Sequence, residues 1–281
     1  AANGDIAHND DTIVKITDII RSNRLNPYKE RTGILSRTNE RDIAIFYNGT
    51  NHAGENMEKL LNKRDLKAGE IIQMCDALSR NIPASFKTIL CNCLSYGFRK
   101  FEDLKEFYPN ACIQVIDLIA KVYKNDEKTR DMTKQERLNY HKKHSKQIMS
   151  DLRNYLENHL ESKQVEPNDS LGKAMRYMLK HWYALTQFLR VLGAPLDNNI
   201  LERALKIPIR GRRTWLFYKT EYGAMIGGVL MSVIYTCALS KSNPLNYLIA
   251  LQKHQNQIIK EPEAWLPWNY QDTMARLLLA V

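Results

Sequence analysis

Three acidic residues stand at the ends of predicted elements, and their carboxylates are the first candidates for chemistry. Asp10 ends a strand-like run in HNDDT, Asp76 ends another in IIQMCD, and Glu202 lies in the first turn of a predicted helix in PLDNNILERAL. They are far apart in the sequence, so only the fold can bring them together. Carboxylate oxygens are ligands that Mg²⁺ or Mn²⁺ prefers. Two such ions, about 4 Å apart, can activate an attacking oxygen and stabilise a leaving one in phosphodiester cleavage.

Each of these carboxylates also has an ordinary structural interpretation. Asp10 and Asp11 are typical of turn or N-cap residues, and Asp76 would serve as a cap for the short segment after it. Glu202 also fits the third position of a capping box that begins at Asn199. Spacing alone therefore favours structural roles over a shared metal site.

Two basic stretches are candidate DNA contacts. The first follows the strand after Asp76, and the second follows Glu202; their members are Arg99 and Lys100, and Lys206, Arg210, Arg212 and Arg213. Such side chains position DNA by contacting phosphates. Trp215 would either stack on a splayed base or pack in the core beside Leu216 and Phe217. The net charge of +10 favours a polyanionic partner, either nucleic acid or an anionic membrane surface.

The elements that would position these residues begin with a mixed strand and helix region. Short β-rich runs are predicted at Asp5–Asp10, Thr32–Ser36, Ile43–Tyr47, Ile71–Cys75 and Thr88–Cys93. A helix is predicted around Glu55–Leu61, and Ile13–Ile20 fits a helix nearly as well as a strand. Strands interrupted by a helix predict an α/β sheet with at least one parallel pairing.

From about residue 97 to 190 the apolar residues recur at helical spacing. The pattern is clearest from Ile148 to Leu160 and from Leu171 to Leu189. The charged runs Lys121–Lys134 and His141–Lys146 favour solvated helix faces over DNA-binding patches. We therefore predict three segments: 1–107, the first part of a catalytic core; 108–190, a helical insertion; and 191–281, the rest of the core. In the last segment Pro195 and Pro208 predict breaks, and the tail EAWLPWNY is expected to pack back on the body.

Composition excludes several classes of protein. A 281-residue chain that is 44% hydrophobic and 26% charged can fold around a core. The five cysteines lack framework spacing, which favours buried thiols in a reducing compartment over disulfides or zinc. The apolar run Ala224–Leu239 is short for a membrane span and predicts a buried helix. With no signal-peptide pattern at the start, we expect a cytoplasmic protein that does not enter a membrane.

Several segments resemble one family closely. PLDNNILERALKIPIRGRRTWLF is similar to the C-terminal signature of the insertion-sequence sixty-six family of DDE transposases, and the similarity continues through KTEYGA, SNPLNYL and LPWNY. Upstream, HNDDT, NHAGEN, QMCDALSRN and FKTILCNCLSYGFRKF also resemble that family. The resemblance covers nearly the whole chain, and DNN-x-x-ERAL is its most specific part.

This resemblance implies an α/β, RNase-H-like mixed sheet flanked by helices, with a helical insertion before the last catalytic carboxylate. The family's two aspartates and its glutamate fall on Asp10, Asp76 and Glu202, with Asp10 preferred to Asp11 because the D-x-T pattern ends at Thr12. The implied activity is transposition of DNA, by phosphodiester hydrolysis and strand transfer with two Mg²⁺ or Mn²⁺ ions. The implied partners are the element ends, the target DNA and further copies of the chain, which places the protein on the nucleoid when it is bound to DNA.

The sequence departs from the family pattern at two positions. Tyr96 stands where related sequences usually have His, and Phe98 stands where they usually have Arg. The N-terminal DNA-reading and zinc-binding segments of the family are not among these residues, so recognition of terminal repeats is not expected from them. Two alternatives stay open: a catalytically inactive DNA-binding or assembly module, and an RNase-H-like nuclease that does not transpose.

Overall fold

The structure, a computed structural model, describes residues 1–22, 29–38 and 40–279. It is a mixed α/β fold in which the strands of the described residues form a five-stranded mixed sheet. The strands are β1 (Ile6–Val14), β2 (Lys29–Arg37), β3 (Asp42–Gly49), β4 (Ile72–Cys75) and β5 (Ile89–Asn92). All five predicted strands are present, but β1 continues to Val14, so the prediction that Asp10 ends its strand is wrong. The ambiguous segment Ile13–Ile20 divides between the end of β1 and a short helix, α1 (Thr17–Ser22).

The remaining helices occupy most of the chain. In order they are α2 (Ala53–Leu61), α3 (Leu94–Glu102), α4 (Pro109–Glu127), α5 (Lys134–His144), α6 (Lys146–Glu161), α7 (Ser170–Lys180), α8 (Trp182–Leu185), α9 (Asn199–Trp215), α10 (Glu221–Leu239), α11 (Pro244–Lys253), α12 (Gln255–Lys260) and α13 (Tyr270–Leu279). Short 3₁₀ turns lie at Leu66–Ala68, Ser79–Asn81, Gln187–Leu189 and Pro262–Trp265.

The chain divides into two compact units. One comprises Ala1–Ile71, Ser79–Lys87 and Leu201–Val281, and the other comprises Ile72–Leu78 and Thr88–Ile200. We call them the first and the second unit. The division into three segments at residues 107/108 and 190/191 stays a prediction.

The first unit is built on an antiparallel meander. β1 pairs with β2, and β2 pairs with β3. Since successive residues of a strand point to opposite faces, β1 has two different surroundings. Ala7 and Ile34 pack with Met57 and Leu60 of α2 on one face. Helix α10 runs along β3, where Gly228 permits the approach, because a Cβ there would lie 2.6 Å from the Phe46 carbonyl oxygen.

Two sequence predictions about the first unit are wrong. Pro208 does not break the chain but lies inside α9. The helix continues because Leu201, Ala204, Leu205 and Pro208 bury one continuous face at helical spacing. The apolar segment Ala224–Leu239 is not a buried helix either. By length and composition alone α10 could cross a membrane, yet only 22% of its apolar window is buried.

The predicted return of the aromatic tail is confirmed. Trp265 and Tyr270 are buried in a cluster with Cys237, Tyr247 and Ala250. The ring centroids of Tyr247 and Tyr270 lie 5.0 Å apart with the rings edge to face, which is a favoured aromatic arrangement.

The second unit contains the parallel pair β4–β5, which confirms the predicted parallel pairing. Helices α3 to α8 surround a core that includes Phe101, Ile119, Leu152, Met178 and Phe188. The helical texture predicted for residues 97–190 is therefore confirmed, although the apolar run Leu171–Leu189 is divided among α7, α8 and a 3₁₀ turn. The charged runs form parts of α4, α5 and the start of α6. All five cysteines are buried and unbonded to one another, as predicted.

Candidate active site

Asp10 lies in the middle of β1, directly opposite Gly33 of β2. A Cβ at Gly33 would lie 2.8 Å from Leu205 Cδ2 and 3.2 Å from Leu201 Cδ1. Helix α9 therefore covers this face of the meander closely enough to require glycine. Since directly opposed residues of an antiparallel pair point to the same face, the Asp10 side chain projects toward the α9 side. It is partly exposed.

Asp11 projects to the opposite face, where it holds the start of α2. Its Oδ2 accepts the Ala53 N–H at 2.9 Å, and its Oδ1 accepts the Thr32 hydroxyl at 2.7 Å. The side chain is only 1% exposed, with His52 Nδ1 3.9 Å away. Burial raises the Asp11 pKa, against the opposing effects of these two hydrogen bonds and of the nearby charges of Arg80 and His52. From its place on β1, Asp11 thus caps the first backbone N–H of α2.

Glu202 lies one turn into α9, beside the buried face formed by Leu201, Ala204 and Leu205. It is partly buried, and its Oε1 is shielded from solvent. The capping-box interpretation does not hold, because the Asn199 N–H donates to Asp197 Oδ1 at 3.0 Å. Asp197, two residues before the helix, supplies the hydrogen bond that this interpretation assigned to Glu202.

Asp76 follows the last residue of β4 and is 6% exposed. Its Oδ1 accepts the Leu78 N–H at 3.1 Å, and its main-chain carbonyl accepts the Asn92 side-chain amide at 3.3 Å. The first contact is the turn-capping role expected from the sequence. One carboxylate oxygen is therefore engaged in shaping the turn that follows the strand.

Tyr177 is a neighbour of Asp76 that sequence reasoning missed. Burial and the negative charge of Asp76 raise the pKa of the Tyr177 hydroxyl. On the ring of the same residue, Lys100 Nζ lies 4.5 Å from the centroid. Tyr177 belongs to the regular apolar pattern of α7, so its spacing is typical of a core residue and carries no signal of a site.

The predicted DNA-contacting residues divide between the two units. On α9, Lys206, Arg210 and Arg213 are exposed, while the side chains of Arg212 and Trp215 lie outside the described residues. Lys206 and Arg213 follow Glu202 at four and eleven positions, which puts all three on one side of the helix. That side of α9 therefore combines an acidic oxygen donor with exposed cations.

In the second unit, the basic residues Arg99 and Lys100 each lie over an aromatic ring. The guanidinium carbon of Arg99 lies 5.7 Å from the Tyr96 ring centroid, and Lys100 lies over Tyr177. Phe98 packs against the core of the unit. Tyr96, which is 38% exposed, thus supports the cation beside it rather than filling the core.

The oxygen donors of the three predicted ligands suit Mg²⁺ or Mn²⁺. Among the described residues, no three His, Cys, Asp or Glu side chains lie close enough to one another to hold a metal ion. The assignment of Asp10, Asp76 and Glu202 as ligands stays a prediction.

Comparison with known proteins defines the class of the chain. Residues 2–226 match the family described as Transposase IS66 family. The chain belongs to this family, and the resemblance seen in its motifs is confirmed.

Curated relatives come from Sinorhizobium fredii. The uncharacterized protein y4jD is 29% identical over 187 residues, which are 64% of this chain and 36% of the relative. The uncharacterized protein y4hP is 24% identical over 259 residues, covering 84% of this chain and 45% of the relative. The chain thus spans less than half the length of these relatives. No solved structure matches it.

Proposed function

We propose that this chain is the catalytic core of a DNA transposase, with an RNase-H-like arrangement and with Asp10, Asp76 and Glu202 as its metal ligands. Its first reaction is hydrolysis of a phosphodiester at an element end, which frees a 3′-hydroxyl. In the second, this hydroxyl attacks a phosphodiester of target DNA, so that a new P–O bond forms and a target 3′-hydroxyl leaves. Membership of the IS66 family supports the general role in transposition. The family's pattern of two aspartates and a glutamate supports the choice of ligands.

The proposal is supported best by the different surroundings of two adjacent aspartates, Asp10 and Asp11. Asp11 is occupied by the Ala53 N–H and the Thr32 hydroxyl. Asp10 projects to the face covered by α9, the helix that also carries Glu202. Because Asp11 alone caps α2, the cap does not require Asp10, which is partly exposed. The arrangement therefore supports Asp10 as the ligand.

When bound, divalent metal would supply Lewis-acid activation of the attacking oxygen and charge stabilisation of the leaving one. The chain's own contribution is positioning. Asp10 is fixed by the ladder between β1 and β2, and Glu202 by the buried face of α9. Asp76 is held through its bond to Leu78. Rigid placement of this kind reduces the reorganisation needed in the transition state.

Phosphates of the DNA would be held by the exposed cations of α9, Lys206, Arg210 and Arg213. Because they share the helix of Glu202, they would hold the backbone beside the reacting phosphodiester. Arg99 and Lys100 form a second basic pair in the other unit. Binding through phosphates alone is independent of sequence and loses roughly 0.9 log units of affinity per log unit of salt for each contact.

The test is metal-dependent strand cleavage of a supercoiled plasmid, followed by strand transfer with pre-cut DNA ends. We expect cleavage in Mn²⁺ or Mg²⁺, loss of it in Asp10→Asn, and retention of it in the matched control Asp11→Asn. Loss of activity only in Asp11→Asn would contradict the assignment. Cleavage without transfer would leave an RNase-H-like nuclease.

A second candidate, a DNA-binding module without catalysis, is favoured by one observation. Phe98 packs in the core where the family usually has Arg, so a cation beside the sheet is lost. This candidate predicts salt-sensitive DNA binding with no effect of Mn²⁺ on thermal unfolding. The catalytic proposal predicts that Mn²⁺ raises the melting temperature, because three acidic ligands are then neutralised.

A further inference from the structure

The outer side of α10 carries a continuous row of large apolar residues. Tyr222, Ile226, Leu230 and Ile234 recur at every fourth position and are 38–70% exposed. Residues at this spacing form a ridge along a helix. Met225 and Val229 flank the row and are also about half exposed. We call these six residues the α10 ridge. A contiguous apolar surface of this kind on a folded protein marks an interaction site.

The inner side of α10 is bonded to the meander. Ser232 Oγ accepts the Phe46 N–H at 2.8 Å, and Thr236 Oγ1 both accepts the Ala44 N–H and donates to the Ala44 carbonyl, each at 3.2 Å. These bonds satisfy backbone groups of β3. Crossing a membrane would require α10 to leave β3 and to break them. The ridge therefore belongs to the folded unit and lies on the side of α10 that is turned away from β3.

We propose that the α10 ridge is a self-association surface, on which a second copy of this chain packs antiparallel. The four-residue row within the ridge is symmetric about Gly228, since Ile226 and Leu230 lie two positions on either side of it and Tyr222 and Ile234 lie six. A two-fold axis at Gly228 puts Ile226 of one copy against Leu230 of the other, and Tyr222 against Ile234. Such a patch is complementary to itself, as an isologous interface requires. Ridges of this spacing interdigitate in the commonest class of helix packing.

The size and charge of the surface indicate a modest affinity. The exposed fractions of the six side chains amount to roughly 500 Å² per copy, or about 1,000 Å² for a pair, near the lower limit of specific interfaces. The ridge has no charged member, whereas each whole chain carries +10. Association should therefore strengthen with salt, because salt screens the repulsion between copies. DNA binding would respond in the opposite direction.

The test is sedimentation velocity of the 281-residue chain across the micromolar range, at low and high salt. We expect a reversible dimer that is favoured by salt. Ile226→Lys and Leu230→Glu should each raise the dimer dissociation constant about 30-fold or more, since each places a charge inside the apolar contact. An equimolar mixture of the two variants should associate again, because Lys at 226 then meets Glu at 230 of the other copy.

The control is Ile259→Lys, which changes an 80%-exposed apolar residue on α12. It should leave the dimer unchanged and should not associate selectively with Leu230→Glu. Circular dichroism of each variant checks that the fold is kept. A monomeric wild-type chain, or a mixture that stays monomeric, would overturn the proposal, as would flotation of the wild type with phosphatidylcholine vesicles. Sedimentation does not depend on cleavage activity. A failure of the proposed dimer can therefore be distinguished from a failure of the proposed function.

Discussion

Replacing Asp11 by Ala should destabilise the first unit more than replacing Asp10 by Ala does. Asp11 makes two side-chain hydrogen bonds to other elements, one to the Ala53 N–H at the start of α2 and one to the Thr32 hydroxyl. The Asp10 side chain is partly exposed, and its carboxylate accepts the N–H of the next residue at 2.8 Å. The two neighbours therefore differ in what folding requires of them.

The size of the effect follows from the contacts. Loss of an N-cap costs about 1 kcal/mol, and loss of a hydrogen bond to a buried charged group costs about 1.5–3 kcal/mol. The desolvation that raises the Asp11 pKa offsets part of this. We expect a net loss of about 2 kcal/mol for Asp11→Ala, or roughly 5 °C in melting temperature. Asp11→Asn keeps an acceptor and sheds the desolvation penalty, so its loss should stay below about 1 kcal/mol.

The sign of the pH dependence gives an internal check. Because the folded pKa of Asp11 is raised, the folded state binds its proton more readily than the unfolded state does. The contribution of this group to stability therefore falls as pH rises from the ordinary Asp pKa of about 4 through the folded value. As pH rises through that range, the stability of Asp11→Asn should increase relative to that of the wild type. Thermal unfolding between pH 4 and 7 measures it, and an Asp10→Ala variant less stable than Asp11→Ala would refute the reasoning.

Two further predictions concern the packing of α10 and a partly buried ion pair. Gly228→Ala should destabilise the protein by about 1–3 kcal/mol in urea unfolding, although Ala favours helix, because its Cβ would lie 2.6 Å from the Phe46 carbonyl oxygen; a neutral or stabilising result would contradict the packing of α10 on β3. In the second unit, burial opposes the ionised Asp126, but bonds to His141 and Arg137 lower its pKa overall. The stability that Asp126 supplies is present above about pH 4 and is lost as pH falls through the lower folded value, so Asp126→Asn should reduce stability at neutral pH and flatten the acid limb of unfolding; an unchanged acid limb would count against it.

Much of the fold could be predicted from the sequence. Short β-branched runs bounded by glycines and polar residues identified all five strands, and apolar spacing identified the helices of the second unit. The break predicted at Pro208 does not occur. A proline lacks one backbone N–H, but the buried face around it stabilises α9 through that position. The exposure of α10 could not be predicted, because apolar composition does not reveal whether a face meets the core or a partner.

The candidate site was only partly predictable. Adjacent strand residues point to opposite faces, so Asp10 and Asp11 were certain to differ, but which face α9 covers depends on packing at Gly33. The proximity of Tyr177 to Asp76 likewise depends on tertiary contacts. The Asn199–Glu202 spacing predicted a capping box, yet Asp197 was equally able to bind the Asn199 N–H and does so.

Thermal unfolding and plasmid cleavage of Glu202→Gln, each with and without Mn²⁺, test most directly whether Glu202 is a metal ligand. Glu221→Gln, which changes an exposed acid in the first turn of α10, is the matched control. We predict that Mn²⁺ raises the melting temperature of the wild type and the control but not of Glu202→Gln, and that only Glu202→Gln loses cleavage. Without metal, Glu202→Gln should be at least as stable as the wild type, because the proposed site places three like charges together and the substitution removes one of them. A Glu202→Gln protein that cleaves DNA and responds to Mn²⁺ as the wild type does would contradict the account.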